Sequence, residues 1–154
     1  MHRLLRLSVL LGLSAVLWSG STAARAADAQ GDNRGFELTA DTPWVVALDQ
    51  PEALARALED VKTDWYKVLG HVPLVLSEPP ASWSGPVVYL GLKGSWLKEM
   101  VKEPFPGVES FVLKAGRDGA GRLALGATGV DVRGAIYAAY ALSEELLGVD
   151  PWYY

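Results

Sequence analysis

The sequence predicts an α+β domain of the α/β layered kind: a mixed β-sheet of about five strands flanked by helices, in the order β-α-β-β-α-β-β-α. Three observations carry this prediction. Two segments place apolar residues at helical spacing, Leu54 to Val68 and Ile136 to Leu147. Between and around them lie short apolar runs rich in Val, Leu and Tyr, the pattern of buried strands. Strands alternate with helices only in part, and one pair is joined by turn chemistry, so the sheet should mix parallel and antiparallel neighbours.

The elements follow in order. Pro43-Trp44-Val45-Val46-Ala47-Leu48 is an apolar strand, after which Asp49 or Gln50 caps a helix with Pro51 in its first turn. Along that helix Leu54, Leu58, Val61, Trp65 and Val68 keep one face apolar, and Gly70 closes it. Val72 to Leu76 is the next strand, residues 79–86 form a Pro/Ser loop, and Val87 to Gly91 is a third strand. Ser95 caps a short helix through Lys102, ended by Pro104 and Pro106. Ser110 to Ala115 and Arg122 to Gly126 form a hairpin around the turn residues 116–121. Asp131 or Thr128 caps the last helix, where Ile136, Tyr140, Ser143 and Leu147 trace a stripe and Gly148 ends it.

The start of the chain reads as a leader. Arg3 and Arg6 precede an uncharged apolar run from Leu7 to Trp18, and Ala24-Arg25-Ala26 has the form of a cleavage site. The apolar run is short for a bilayer span. The expected organisation is a signal peptide over 1–26, a flexible leader over 27–35, an α/β domain over 36–149, and a lead-in to a further domain over 150–154. The protein is then exported, to the periplasm or outside the cell.

Composition narrows the function. Without the leader, 11 Lys and Arg face 18 Asp and Glu, which disfavours nucleic acid and anionic membranes as partners. There is no cysteine, so thiol catalysis and thiolate metal sites are excluded. His71 is the one histidine left after the leader, which disfavours a Ser-His-Asp triad or a His-rich zinc site. No metal and no cofactor is expected.

Candidate sites are few. Gly126-Ala127-Thr128-Gly129 reads as a strand-to-helix turn of the kind that can point backbone N–H groups at an anion, but it lacks the full dinucleotide fingerprint and a phosphate-binding lysine; the plainer account is that the glycines let the strand turn sharply into a helix that packs back on it. Asp131 and Arg133 flank a helix start, either as a ligand-contacting pair or as a dipole-stabilising acid with a salt-bridged base. Glu144 and Glu145 are sequence neighbours that diverge on a helix, so they cannot flank one glycosidic bond and belong to a solvated face. His71 reads as a surface loop residue. Trp83, in its Pro/Ser loop, is a candidate for stacking on a sugar, with packing as the plainer account; Trp96 shares that ambiguity. Trp152, Tyr153 and Tyr154 read as rings at a domain interface; left bare they would form an apolar patch.

The end of the chain, from Gly126 to Tyr154, carries a resemblance. "GATGVDVRGAIYAAYALSEELLGVDPWYY" resembles the end of the N-terminal domain of the xylan α-glucuronidases of glycoside hydrolase family 115, through Gly129, Asp131, Arg133, Gly134, Ile136, Tyr137, Leu142, Ser143, Glu144, Gly148, Val149, Pro151, Trp152 and Tyr153. The stretch from Pro43 to Ser77 looks like the upstream part of the same domain, and similar domains precede the barrels of family 67 α-glucuronidases and β-hexosaminidases. Val130, Val132 and Asp150 depart from the family's pattern, and the stretch between Ser143 and Gly148 is one residue longer. The resemblance implies a β-hexosaminidase N-terminal-domain-like fold and a non-catalytic domain supporting a catalytic barrel downstream. The partners would be that barrel and a plant polysaccharide such as xylan. The family's catalytic carboxylates lie in the barrel, so no catalytic residue is expected here. The other reading is a free-standing carbohydrate-binding or adhesion domain, with Trp83 and the terminal aromatics as platforms.

Overall fold

A computed structural model describes residues 7–8, 37–92 and 106–150. The short helix expected over 95–102, with Trp96, and the aromatic end at 151–154 lie outside the described residues, as does most of the expected leader. Leu7–Ser8 (β1) pairs antiparallel with Glu37–Leu38 (β2), Leu7 opposite Leu38. This ribbon shares no ladder with the main sheet. Leu38 is nonetheless buried in the core.

The main sheet has the order β4-β3-β5-β7-β6. Its strands are Trp44–Val46 (β3), Val75–Leu76 (β4), Val87–Leu92 (β5), Phe111–Arg117 (β6) and Leu123–Gly129 (β7). β4, β3, β5 and β7 run parallel, and β6 closes one edge antiparallel to β7. This is the mixed five-stranded α+β sheet that the sequence predicts. β3 is shorter than the run 43–48, and the 72–76 strand is reduced to two residues. Both hairpin strands run on at their C-terminal ends, to Arg117 and Gly129, and the longer β6 narrows the turn to residues 118–122. That shift has a cause: Asp118 clamps the turn by accepting the N–H groups of Ala120 and Arg122, each at 3.0 Å.

Alternation along the strands builds two cores. Trp44, Val46, Val88, Leu90, Leu113, Leu125 and Ala127 face the helices. Val45, Val87, Tyr89 and Ala124 face the other way, with Trp83 against them. Both sides of the central strands are covered, which is why β5 reads as an unbroken apolar run.

Helix α1 spans Glu52–Leu69. Leu54, Leu58, Val61 and Trp65 are buried, as the stripe requires, and Val68 packs against them. Its N-cap is Pro51, with no side-chain cap; Gln50 instead donates from Nε2 to Ala47 O at 3.0 Å. Gly70 ends the helix at φ 78°, a left-handed position that glycine adopts without a Cβ penalty. Trp65 meets Trp44 edge to face, centroids 5.3 Å apart and planes at 88°.

Helix α2 spans Val132–Leu142, and Ser143–Leu147 continues it as a π-turn ended by Gly148 at φ 71°. A π-turn takes up one extra residue in a helix. That widened turn lies at Ser143–Leu147. The buried face of α2 is centred on Ala135, Ala138, Ala139 and Leu142, with Ile136 and Tyr140 at its margins. Small alanines let the helix lie close on β7 and β5, so the apolar stripe through Ile136 and Tyr140 is displaced from the true contact line.

Candidate functional site

Asp131 stands at the centre of the strongest constellation. It caps α2 at the carboxyl end of β7: Oδ1 accepts from Gly134 N at 2.9 Å, and Oδ2 accepts from Glu109 N at 2.7 Å. The first bond satisfies a free N–H of the helix start. The second ties the helix to the loop before β6, where Glu109 holds a positive φ of 58°. These two N–H donors, Gly134 first, hold the Asp131 carboxyl below its usual range. Thr128 is not the cap; its hydroxyl donates to Gly91 O at 2.8 Å inside the sheet.

Arg133 projects outward, its side chain 66% exposed. Nη1 pairs with Glu109 Oε1 at 2.6 Å, and Nη2 donates to the Tyr137 hydroxyl at 3.2 Å. Tyr137 and Glu109 both favour the charged guanidinium. The structure therefore brings Asp131, Arg133 and Glu109 together. Asp131 spends both oxygens on backbone donors, and Arg133 and Tyr137 are the groups offered to the surface.

Two glycines make this turn possible. A Cβ at Gly129 would lie 1.9 Å from Ala135 N, and one at Gly134 would lie 2.4 Å from Ser110 O. Backbone meets backbone at both places. The Gly126-Ala127-Thr128-Gly129 stretch is corrected by the same geometry: it lies within β7 and is not a strand-to-helix turn. The residues that turn are Val130 and Asp131, and helix backbone fills the space beside Gly129.

Trp83 lies elsewhere. It precedes β5, at the opposite end of the parallel strands from Asp131. Nε1 donates to Pro86 O at 2.9 Å, and the ring lies over Gly85 and packs on the smaller core. His71 is exposed behind Gly70. Glu144 and Glu145 both reach solvent on the π-turn; the partial desolvation of Glu145, and then the neighbouring Glu144, raise the Glu145 carboxyl. Trp152, Tyr153 and Tyr154 lie outside the described residues.

A second polar cluster has no clear sequence signal. Tyr89 donates to Asp118 Oδ2 at 3.0 Å, and Arg122 Nε donates to the same oxygen at 2.8 Å. Burial, then the Asp118 bond, pushes Tyr89 up to about 12. Burial alone would raise Asp118, but the Arg122 N–H and guanidinium, the Tyr89 hydroxyl and the Ala120 N–H outweigh it and hold it low. Tyr89 lies in β5 and Asp118 in the hairpin turn, 29 residues apart, which no local spacing reveals. Among the described residues no cluster of His, Cys, Asp and Glu could hold a metal ion. No described helix is long and apolar enough to cross a membrane.

Known proteins supply one further finding. No family model matches the chain, and no curated protein matches it. Among solved structures, the fold is similar to part of a family GH115 4-O-methyl-α-glucuronidase with specificity for decorated arabinogalactans. The match has a TM-score of 0.54 at 17% identity and covers 73% of this chain but 14% of that one. The likeness is one of fold, and it places the sheet and helices described above beside a domain of a glycoside hydrolase.

Proposed function

We propose that this chain is the N-terminal, non-catalytic domain of an exported α-glucuronidase-like glycoside hydrolase, supporting a catalytic barrel that follows it. The observation that carries the reading is the shape of the structural match, in which most of this chain corresponds to a small part of a much longer enzyme. The turn from Gly129 to Gly134 supports it, because its capping and packing contacts give those residues a scaffolding role without a catalytic group. The substrate of the whole enzyme would be a plant polysaccharide carrying glucuronate branches, such as xylan; the neighbour's specificity is for decorated arabinogalactans. Trp152, Tyr153 and Tyr154 would pack against the barrel.

The test compares this chain alone with a chain extended through the following domain. Release of 4-O-methylglucuronate from glucuronoxylan or from arabinogalactan is measured for each. Activity in the extended chain alone supports the reading. An extended chain inert on both polymers, or a lone chain that hydrolyses either, contradicts it.

A further inference from the structure

We propose that the outer edge of β4 is a homodimer contact, on which a second copy of this chain pairs antiparallel about a two-fold axis at Val75. The inference is independent of the parent enzyme's identity. β4 ends the strand order and has β3 on one side only. Trp44 N donates to Leu74 O at 2.8 Å, in the register that sets Trp44 opposite Val75. In a parallel ladder of that register Leu74 and Leu76 turn their bonding groups to β3, and the N–H and C=O of Val75 point outward. The side chains there are open as well: Val72, Leu74 and Val75 are 45%, 58% and 44% exposed. Residues 72–77 carry no charge, the usual guard on an open edge.

This edge complements itself. Val75 set opposite its own copy exchanges both main-chain bonds, and Leu74 meets Leu76 of the second copy on the other face. An axis normal to the sheet keeps both α1 helices on one side, running antiparallel across the seam. Val75 lies on that side, since it shares a face with Trp44. The groove there between α1 and β4, about 310 Å³ and walled by Val46, Leu58 and Val75, receives apolar side chains of the copy. Glu59 and Lys62 line the same groove and pair with each other at 2.7 Å. Antiparallel helices set Glu59 towards Lys62 of the second copy, and Lys62 towards its Glu59, so the seam is charge-complementary. Pro73 offers no N–H and ends the ladder on one side, which keeps the contact short and closed as a dimer.

The test is sedimentation equilibrium of the chain from roughly 10 µM to 1 mM, the range of a small reversible contact, together with disulfide trapping. A reversible dimer is expected. Val75→Pro keeps the bonds to β3 and removes an outward donor from each copy, so it should weaken the dimer about thirtyfold. Leu74→Lys should weaken it too, with the thermal melt as in the parent chain. The sequence has no cysteine, so Val75→Cys puts a lone thiol on the axis. Oxidised glutathione should then trap a covalent dimer, and should not in Val108→Cys, at an 86% exposed residue before β6 on the other edge of the sheet. The proposal is overturned by a monomer at every concentration, by a dimer that Val75→Pro and Leu74→Lys leave intact, or by equal trapping in the two cysteine variants. Amide shifts at β4 that appear only when the chain is extended through the following domain would assign the edge to that domain, and also overturn it. The parent chain's mass decides the matter even where a variant fails to fold.

Discussion

Ser143 Oγ donates to Asp64 Oδ2 at 2.6 Å, between two residues that are each 1% exposed. The bond joins the π-turn to the middle of α1 across 79 residues of sequence. One turn earlier Tyr140 makes the parallel contact to Asp60 at 3.0 Å. The two helices are therefore locked by hydroxyl–carboxylate bonds on top of their apolar seam. Ser143→Ala takes a donor from a buried carboxylate and should cost about 1–3 kcal/mol. A urea midpoint unchanged in that variant would show that the bond is not formed.

Gly129→Ala and Gly134→Ala should each destabilise at or beyond the upper end of the about 1–3 kcal/mol usual for overpacking, because the clash is with backbone. Gly107→Ala is the control: a Cβ there meets nothing within 4 Å. Soluble yield and thermal melting compare the three. Native-like melting of Gly134→Ala would contradict the close approach of Ser110 O to the helix.

Alkaline pH tests the Tyr89–Asp118 cluster. Tyr89 ionises near 10.0 when unfolded and near 12 when folded, so its pKa is raised by folding. A raised pKa contributes stability that is whole below pH 10.0 and is lost as pH climbs towards about 12. Stability measured by urea unfolding should fall across that window, and less steeply in Tyr89→Phe. Tyr140, also raised by burial and by Asp60, leaves a residual slope. Identical pH profiles for the two proteins would count against the buried hydroxyl.

The π-turn makes a prediction about chain length. Deleting Glu144, exposed on that turn, should let the segment close as ordinary α-helix with Leu146 and Leu147 still in the core. The melting temperature should stay within about 5 °C of the parent, a loss of about 1 kcal/mol or less. Deleting Ala138 within α2 should unfold the domain. Equal damage from both deletions would rule out a spare residue at 143–147.

Much of this was legible in the sequence, and the reasons are physical. The stripe from Leu54 to Val68 has one dominant period, so α1 is read closely. β5 is a run of large apolar residues bounded by turn residues, so it too is read well. The last helix misleads because alanine carries little hydropathy signal: Ala135, Ala138 and Ala139 make the contact, while Ile136 and Tyr140 draw attention to its margin. The glycine turn was misplaced because Gly126 and Gly129 look alike in sequence. Only the approach of Ala135 N separates a glycine in a strand from one required by packing.

The most direct test of the central claim is to read the coding sequence beyond the Tyr154 codon. The account predicts that a frame encoding a (β/α) barrel follows, so that Trp152, Tyr153 and Tyr154 lead into its first strand. A stop codon followed by an unrelated gene would contradict the enzyme-domain reading.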